Sequence, residues 1–325
     1  MKKKILITGC AGYIGSELAR LLLNNNYHVI GLDTLKFGKR SIVELLENPD
    51  FTFLQTDIRN GNCISNVVDN IYGVVHLAAI VGDPACAKSP HEAFGVNWIA
   101  SKELFNICAN SNSVKRFIFA STCSNYGKMN GEEYLNEDSE LRPVSLYARL
   151  KVMFEKYLLE SDTRKDFIPT ALRFSTVYGI SPRLRFDLTV NEFIRDAALK
   201  KRLVIYGENF WRPYCHVNDI TRACKLVLES PPEKVDHNVF GIGDTNENYQ
   251  KKTIADEILK ILPDTKVTYI SKEEDPRDYR VDFSKIRREL NFNITKKLPN
   301  GLQEIHELLC TRRIENPFSK IYTNI

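Results

Sequence analysis

A doubly wound sheet of parallel strands with helices on both faces, followed by a smaller C-terminal lobe, is the α/β fold class this sequence predicts. Three observations predict it. Short apolar runs alternate with helically spaced stretches as far as Gly179. The first apolar run ends in a glycine-rich turn that opens a helix, and the second ends in an aspartate. At Pro182 the texture changes, with Arg183 and Arg185 close behind. Such alternation builds a parallel sheet covered on both sides. The expected division is 1–178 for the sheet domain and 179–325 mainly for the second lobe, with about 215–243 returning to the sheet.

Each element has its own signal. Ile5-Leu6-Ile7-Thr8 follows three lysines and is a continuous apolar run, the signature of a strand buried on both faces. Gly9-Cys10-Ala11-Gly12-Tyr13-Ile14-Gly15 comes next, then Ser16 to Leu23 with helical apolar spacing. Val29-Ile30-Gly31-Leu32 is a second strand, ending at Asp33. Val74–Leu77, Phe117–Ala120 and Ala171–Phe174 read as inner strands, and Ala93–Ala109 and Ser145–Glu160 as helices. The last dozen residues contain Pro317 and lack periodicity, so a loosely attached tail is expected.

The chemistry begins at the glycines. Gly9, Gly12 and Gly15 between a strand and a helix permit a tight turn and close approach of backbone N–H groups to a pyrophosphate. Asp33 stands where an acid binds a ribose 2′-hydroxyl, and its charge would repel the 2′-phosphate of NADP. Lys36, Lys39 and Arg40 oppose that repulsion, but the aspartate points to NAD. Tyr147 and Lys151 are four residues apart and share a helix face. An ammonium beside a phenol favours the phenolate and would lower the tyrosine pKa. A hydroxyl at Thr122 could orient the alcohol whose proton is moved. Alternatively, Tyr147 and Lys151 are only a surface helix pair, a reading the glycine loop disfavours.

Composition bounds the alternatives. The 325 residues are 43% hydrophobic and 26% charged, an ordinary globular balance. A net charge of +4 with dispersed Lys and Arg suits a small anionic substrate and argues for neither nucleic acid nor membrane as partner. The eight cysteines and six histidines are scattered, without a C-x-x-C pair or metal-ligand spacing. No metal is expected, and reduced thiols point to the cytoplasm. The lysines run directly into a strand rather than a cleavable apolar segment, and no run approaches the roughly 18 apolar residues of a membrane span.

With these motifs in place, the chain resembles the extended short-chain dehydrogenase/reductases, specifically the NAD-dependent nucleotide-sugar epimerase/dehydratase family. The G-x-x-G-x-x-G spacing is the family's, and further matches run along nearly the whole chain. The resemblance implies that Gly9, Gly12, Tyr13, Ile14 and Gly15 surround the cofactor, with Asp33, Asp57, Ile58, Leu77, Ala78, Ala79 and Asn97. It implies Tyr147 as the acid/base at sugar C4, Lys151 on Tyr147 and the nicotinamide ribose, and Thr122 on the reacting hydroxyl. Arg212, in Arg212-Pro213-Tyr214-Cys215-His216, and Arg277, before Asp278-Tyr279, would hold the diphosphate of a nucleoside-diphosphate sugar. A homodimer through Ala93–Ala109 and Ser145–Glu160 is also implied.

The outcome of the reaction is less determined. The family's 4,6-dehydratases carry Asp-Glu directly after the threonine, where this chain has Cys123 and Ser124. An unperturbed cysteine, with pKa near ~8.5, is a poor general acid at neutral pH. Epimerase/reductases that make GDP-fucose place their cysteine one position further on, so Cys123 reads as a packed or pocket-lining thiol. The stretch Thr176 to Phe193, and Glu274-Asp275-Pro276-Arg277-Asp278-Tyr279, resemble a branch containing GDP-heptose 4-dehydrogenases. That branch would place Arg183, Arg185 and Asn191 in the substrate cleft, as against solvated charges on an interdomain loop. The expected function is a 4-epimerase or 4-dehydrogenase, with a dehydratase or ketoreductase as the alternative. A protein that senses NAD without chemistry is the alternative of another class; it would commonly lack the tyrosine or lysine.

Overall fold

The structure is a computed structural model that describes residues 2–129, 131, 134–271 and 277–324. Glu274-Asp275-Pro276 of the branch-like stretch lies outside the described residues. Six strands come before residue 175: β1 (Lys4–Thr8), β2 (His28–Asp33), β3 (Phe51–Gln55), β4 (Gly73–His76), β5 (Arg116–Thr122) and β6 (Ile168–Phe174). Six follow: β7 (Thr176–Tyr178), β8 (Arg202–Tyr206), β9 (Trp211–His216), β10 (Asn238–Ile242), β11 (Asn248–Gln250) and β12 (Lys266–Ile270).

One parallel sheet of seven strands runs β3-β2-β1-β4-β5-β6-β10. This is the doubly wound sheet predicted from the alternation. Strand periodicity explains its two-sided core. Ile5 and Ile7 enter one apolar cluster with Leu18, Leu22 and Ile220, while Leu6 enters the other with Leu104, Phe117 and Phe154. Ile118 likewise faces away from Phe117 and Phe119. Each fully buried aliphatic or aromatic side chain of this kind contributes about 1.5–3 kcal/mol. Strand order reverses at the β1–β4 boundary, and the crevice beyond the C-terminal strand ends there is where such sheets hold ligands.

The chain after β6 divides its work. Helices Thr189–Lys200, Lys251–Ile261 and Leu298–Cys310 enclose a separate core containing Phe186, Ile194, Ile205, Ile254 and Leu302. Strands β8 and β12 pair in parallel there, and β9 lies between β7 and β11. The main sheet takes back β10, and helix Val217–Glu229 packs beside helix Tyr13–Asn24.

The C-terminal residues differ from the loose tail expected of them. Phe186 N–H donates to Tyr322 O at 2.8 Å, Arg183 Nη2 to Thr323 O at 2.9 Å, and Asn324 N–H to Asp187 Oδ2 at 3.0 Å. The Phe186 and Tyr322 rings meet edge to face, and Phe318 lies under the Arg195 guanidinium. Sparse, non-periodic contacts of this kind leave no pattern in a sequence. Among the described residues no helix is long and apolar enough to cross a membrane.

Candidate active site

The glycine loop closes the β1 end of the crevice. Gly9 has φ +75°, which disfavours any side chain, and a Cβ there would lie 2.9 Å from Ala78 N. A Cβ on Gly15 would fall 2.2 Å from Gly9 O, and one on Gly12 would lie 3.1 Å from it. The backbone is therefore packed to a depth that only glycine permits, and helix Tyr13–Asn24 starts at Gly12 without a side-chain cap. An uncapped helix N-terminus in a cradle of this shape fits a dinucleotide pyrophosphate. Asp33, at the end of β2, accepts from Ala11 N–H at 3.0 Å and Leu35 N–H at 2.8 Å. Burial raises its pKa above the ordinary carboxylate value, against the pull of those N–H groups.

The far wall is held by a hydrogen-bond chain that sequence reading missed. Ala78 N–H donates to Thr8 Oγ1, whose hydroxyl meets His76 Nδ1 at 2.8 Å; His76 Nε2 meets Ser101 Oγ at 2.9 Å, and Ser101 donates to Val96 O. Burial lowers the His76 pKa to about 3, so the ring is neutral. Asn97 sits in a π-helical turn, Gly95–Ala100, and clasps the Ile80 backbone: it accepts from Ile80 N–H at 2.8 Å and donates to Ile80 O at 2.9 Å. It thus fixes the segment following Leu77-Ala78-Ala79. Asp57 is engaged by Arg59, which holds its pKa below the usual range, and Ile58 is buried.

Thr122, Tyr147 and Lys151 come together across β5 and helix Leu146–Glu160. The helix is capped by Ser145 Oγ, which accepts from Ala148 N–H at 3.2 Å. Thr122 lies near enough to Tyr147 to favour its phenolate, and Thr122 Oγ1 accepts from Ser124 N–H at 3.1 Å. Lys151 Nζ donates to Ala120 O at 2.7 Å and stands 5.9 Å from the Tyr147 ring centre.

The electrostatics differ from the expectation that Lys151 lowers the Tyr147 pKa. Burial pushes the Tyr147 phenol up, with Cys86 and Asp83 adding to it and Arg185 and Thr122 opposing. Burial also lowers Lys151 to about 7. Desolvation penalises both charged forms, and it is the largest influence on each.

The remaining sequence-predicted residues divide by exposure. Cys123 is 1% exposed, its thiol points to Arg173 O at 3.3 Å, and burial pushes its pKa up. Ser124 is half-buried near Tyr279, whose ring lies 5.2 Å from the Arg212 guanidinium carbon. Arg277 pairs with Asp83 at 2.9 Å, and Arg185 with Asp187 at 2.7 Å. Arg183 is buried with its guanidinium 4.5 Å from the Phe37 ring. Asn191 is fully buried, its amide spent on Gly179 and on Arg185 O. Tyr13 is buried too, donating from its hydroxyl to Gly179 O at 2.6 Å, and Ile14 packs on the core. Tyr13 and Asn191 therefore join the two lobes in this structure. Cys86 and Asp83, beside Tyr147, were not singled out in the sequence, because nothing local marks the helix Asp83–Lys88 as part of a site.

Comparison with known proteins agrees with this geometry. A Bacillus subtilis (strain 168) protein described as an uncharacterized UDP-glucose epimerase, YtcB, is 28% identical over 311 residues, 92% of this chain and 95% of that one. The UDP-glucuronic acid 4-epimerase of Bacillus cereus, solved with UDP-glucuronic acid and NAD, is 28% identical, with a TM-score of 0.83 over 95% of this chain and 99% of that one. The UDP-glucose 4-epimerase of Thermotoga maritima, solved with UDP-glucose, gives the same identity, TM-score and coverage. Residues 5–279 match the NAD dependent epimerase/dehydratase family as a whole. With the glycine cradle, Asp33 and the tyrosine–lysine helix all in place, the chain belongs to that family.

Proposed function

We propose that this chain is an NAD-dependent oxidoreductase/epimerase that transfers hydride at C4 of a nucleoside-diphosphate sugar, as a 4-epimerase or a 4-dehydrogenase. The observation that carries the reading is the convergence of Thr122, Tyr147 and Lys151, with Lys151 tied to Ala120 O and 5.9 Å from the Tyr147 ring centre, in a chain that also builds the glycine cradle. Tyr147 takes the proton from the 4-hydroxyl and returns it, Thr122 orients that hydroxyl, and Lys151 contacts the phenol and the cofactor ribose. NAD supplies the hydride acceptor and donor. Arg212 and Arg277 hold the diphosphate, Arg277 exchanging Asp83 for it. Asp33 selects NAD over NADP.

Cys123 supports the choice against a dehydratase. A thiol that is 1% exposed and engaged with the Arg173 backbone carbonyl is not presented to a sugar as an acid or base for loss of water. The test is turnover of UDP-, GDP-, CDP- and dTDP-sugars, followed at 340 nm and by product analysis. Tyr147→Phe should lower turnover by about 10²–10⁴-fold. A variant keeping more than about a tenth of wild-type turnover refutes the assignment.

The assembly we propose is a homodimer through the helical faces of 93–109 and 145–160. Ile99 is 53% exposed and Met153 39%, and Ile99 lines a groove together with Val68, Trp98, Lys102 and Ile107. We place the protein in the cytoplasm, where eight unpaired cysteines remain reduced. Sedimentation tests the dimer, with Ile99→Lys expected to give monomers.

A further inference from the structure

Glu155 lies four residues beyond Lys151 and eight beyond Tyr147, so the helix places all three on one face. It is 1% exposed. Its Oε1 accepts from Arg173 Nε at 3.1 Å and Nη2 at 2.7 Å. Its Oε2 accepts from Ser121 Oγ and from Asn125 Nδ2 at 3.2 Å. Ser121 immediately precedes Thr122 and sits opposite Arg173 in the β5–β6 register; Asn125 is in the short turn that follows Thr122. Arg173 Nη1 continues to Tyr126 OH at 3.0 Å and Glu137 O at 3.1 Å. One carboxylate therefore grips both flanks of Thr122 and the neighbouring strand.

A buried ion pair is weak evidence for stability, since apolar residues of similar volume often do as well. What it provides is direction, because each carboxylate lone pair needs a donor at a fixed place. We propose that Glu155 and Arg173 are a positioning unit for the reaction, holding the helix that carries Tyr147 and Lys151 in register with the strand end that carries Thr122. The role rests on the assignment of those three residues as the acid–base group. Misplacement of reacting groups by about 1 Å can cost on the order of 10²-fold in rate.

The experiment compares wild type with Ser121→Ala, Glu155→Gln, and Glu155→Gln combined with Asn125→Asp. Glu155→Gln sets an amide donor against the Asn125 amide; adding Asn125→Asp restores the bond with reversed polarity and returns the lost charge. We expect Glu155→Gln to lower kcat by about 10- to 100-fold, with KM for the sugar nucleotide and bound NAD nearly unchanged. The double variant should recover much of that loss. Ser121→Ala leaves the ion pair intact and should lower kcat severalfold per folded molecule, with a smaller loss of melting temperature than Glu155→Gln, which keeps the test decisive if Glu155→Gln does not fold. Activity falling only in proportion to folded protein, or an unchanged kcat in Ser121→Ala, overturns the positioning role. Tyr147→Phe is run alongside. If it retains turnover, the acid–base assignment fails and takes this role with it; if it is inactive while the other variants keep wild-type kcat, only the positioning role fails.

Discussion

Lys151 Nζ donates to the Ala120 carbonyl at 2.7 Å, which ties the helix bearing Tyr147 to the strand that ends in Thr122. The bond leaves the ammonium 4.6 Å above the Phe119 ring, in surroundings that lower its pKa to about 7. An unfolded lysine keeps its proton to about 10.5. Between those values the unfolded chain binds the extra proton, so the contribution of Lys151 to stability rises with pH across the window and is least favourable below it. Lys151→Met removes this dependence. Thermal melts without added cofactor should show the variant gaining most over wild type near pH 6, the difference shrinking towards pH 10. A difference that grows with pH would contradict the assigned shift.

Gly15→Ala should abolish tight cofactor binding. The new Cβ would fall 2.2 Å from Gly9 O, backbone against backbone, so the turn must open. Overpacking of this kind costs about 1–3 kcal/mol. Gly95→Ala is the control: its backbone is helical and nothing lies within 4 Å of the added Cβ. That variant should be unchanged in NAD affinity and slightly stabilised, by about 0.5–1 kcal/mol. Calorimetric titration with NAD and thermal melts check both.

Asp33→Asn should relax the preference for NAD. The amide oxygen can keep one of the two N–H bonds now made to Ala11 and Leu35, while the charge that repels a 2′-phosphate is gone. The ratio of NADP to NAD dissociation constants should fall by about tenfold, a change of about 1.4 kcal/mol.

Truncation after Pro317 should weaken substrate binding more than cofactor binding. The tail holds the loop of Arg183, Phe186 and Asp187 through three hydrogen bonds and the Tyr322 ring. Asp187 in turn holds Arg185, whose charge acts on Tyr147. Steady-state kinetics should show KM for the sugar nucleotide rising severalfold while NAD affinity stays within about twofold, a change under half a kcal/mol. Equal loss of both would place the tail's effect in global stability.

The sequence by itself determined the parallel sheet, the glycine turn after β1, the aspartate ending β2 and the helix face shared by Tyr147 and Lys151. Those features are local: strand and helix periods, a turn that requires glycine, and a spacing of four residues are written in consecutive positions. Only the tertiary structure decided what lies around them. It brought Cys86 and Asp83 to Tyr147, turned Asn191 and Tyr13 into a joint between lobes, and docked the tail on the Arg185 loop. It also reversed the expected Tyr147 shift. A pKa depends on how much water the whole fold removes as well as on the nearest charge, and desolvation of Tyr147 and Lys151 arises from residues far apart in the chain.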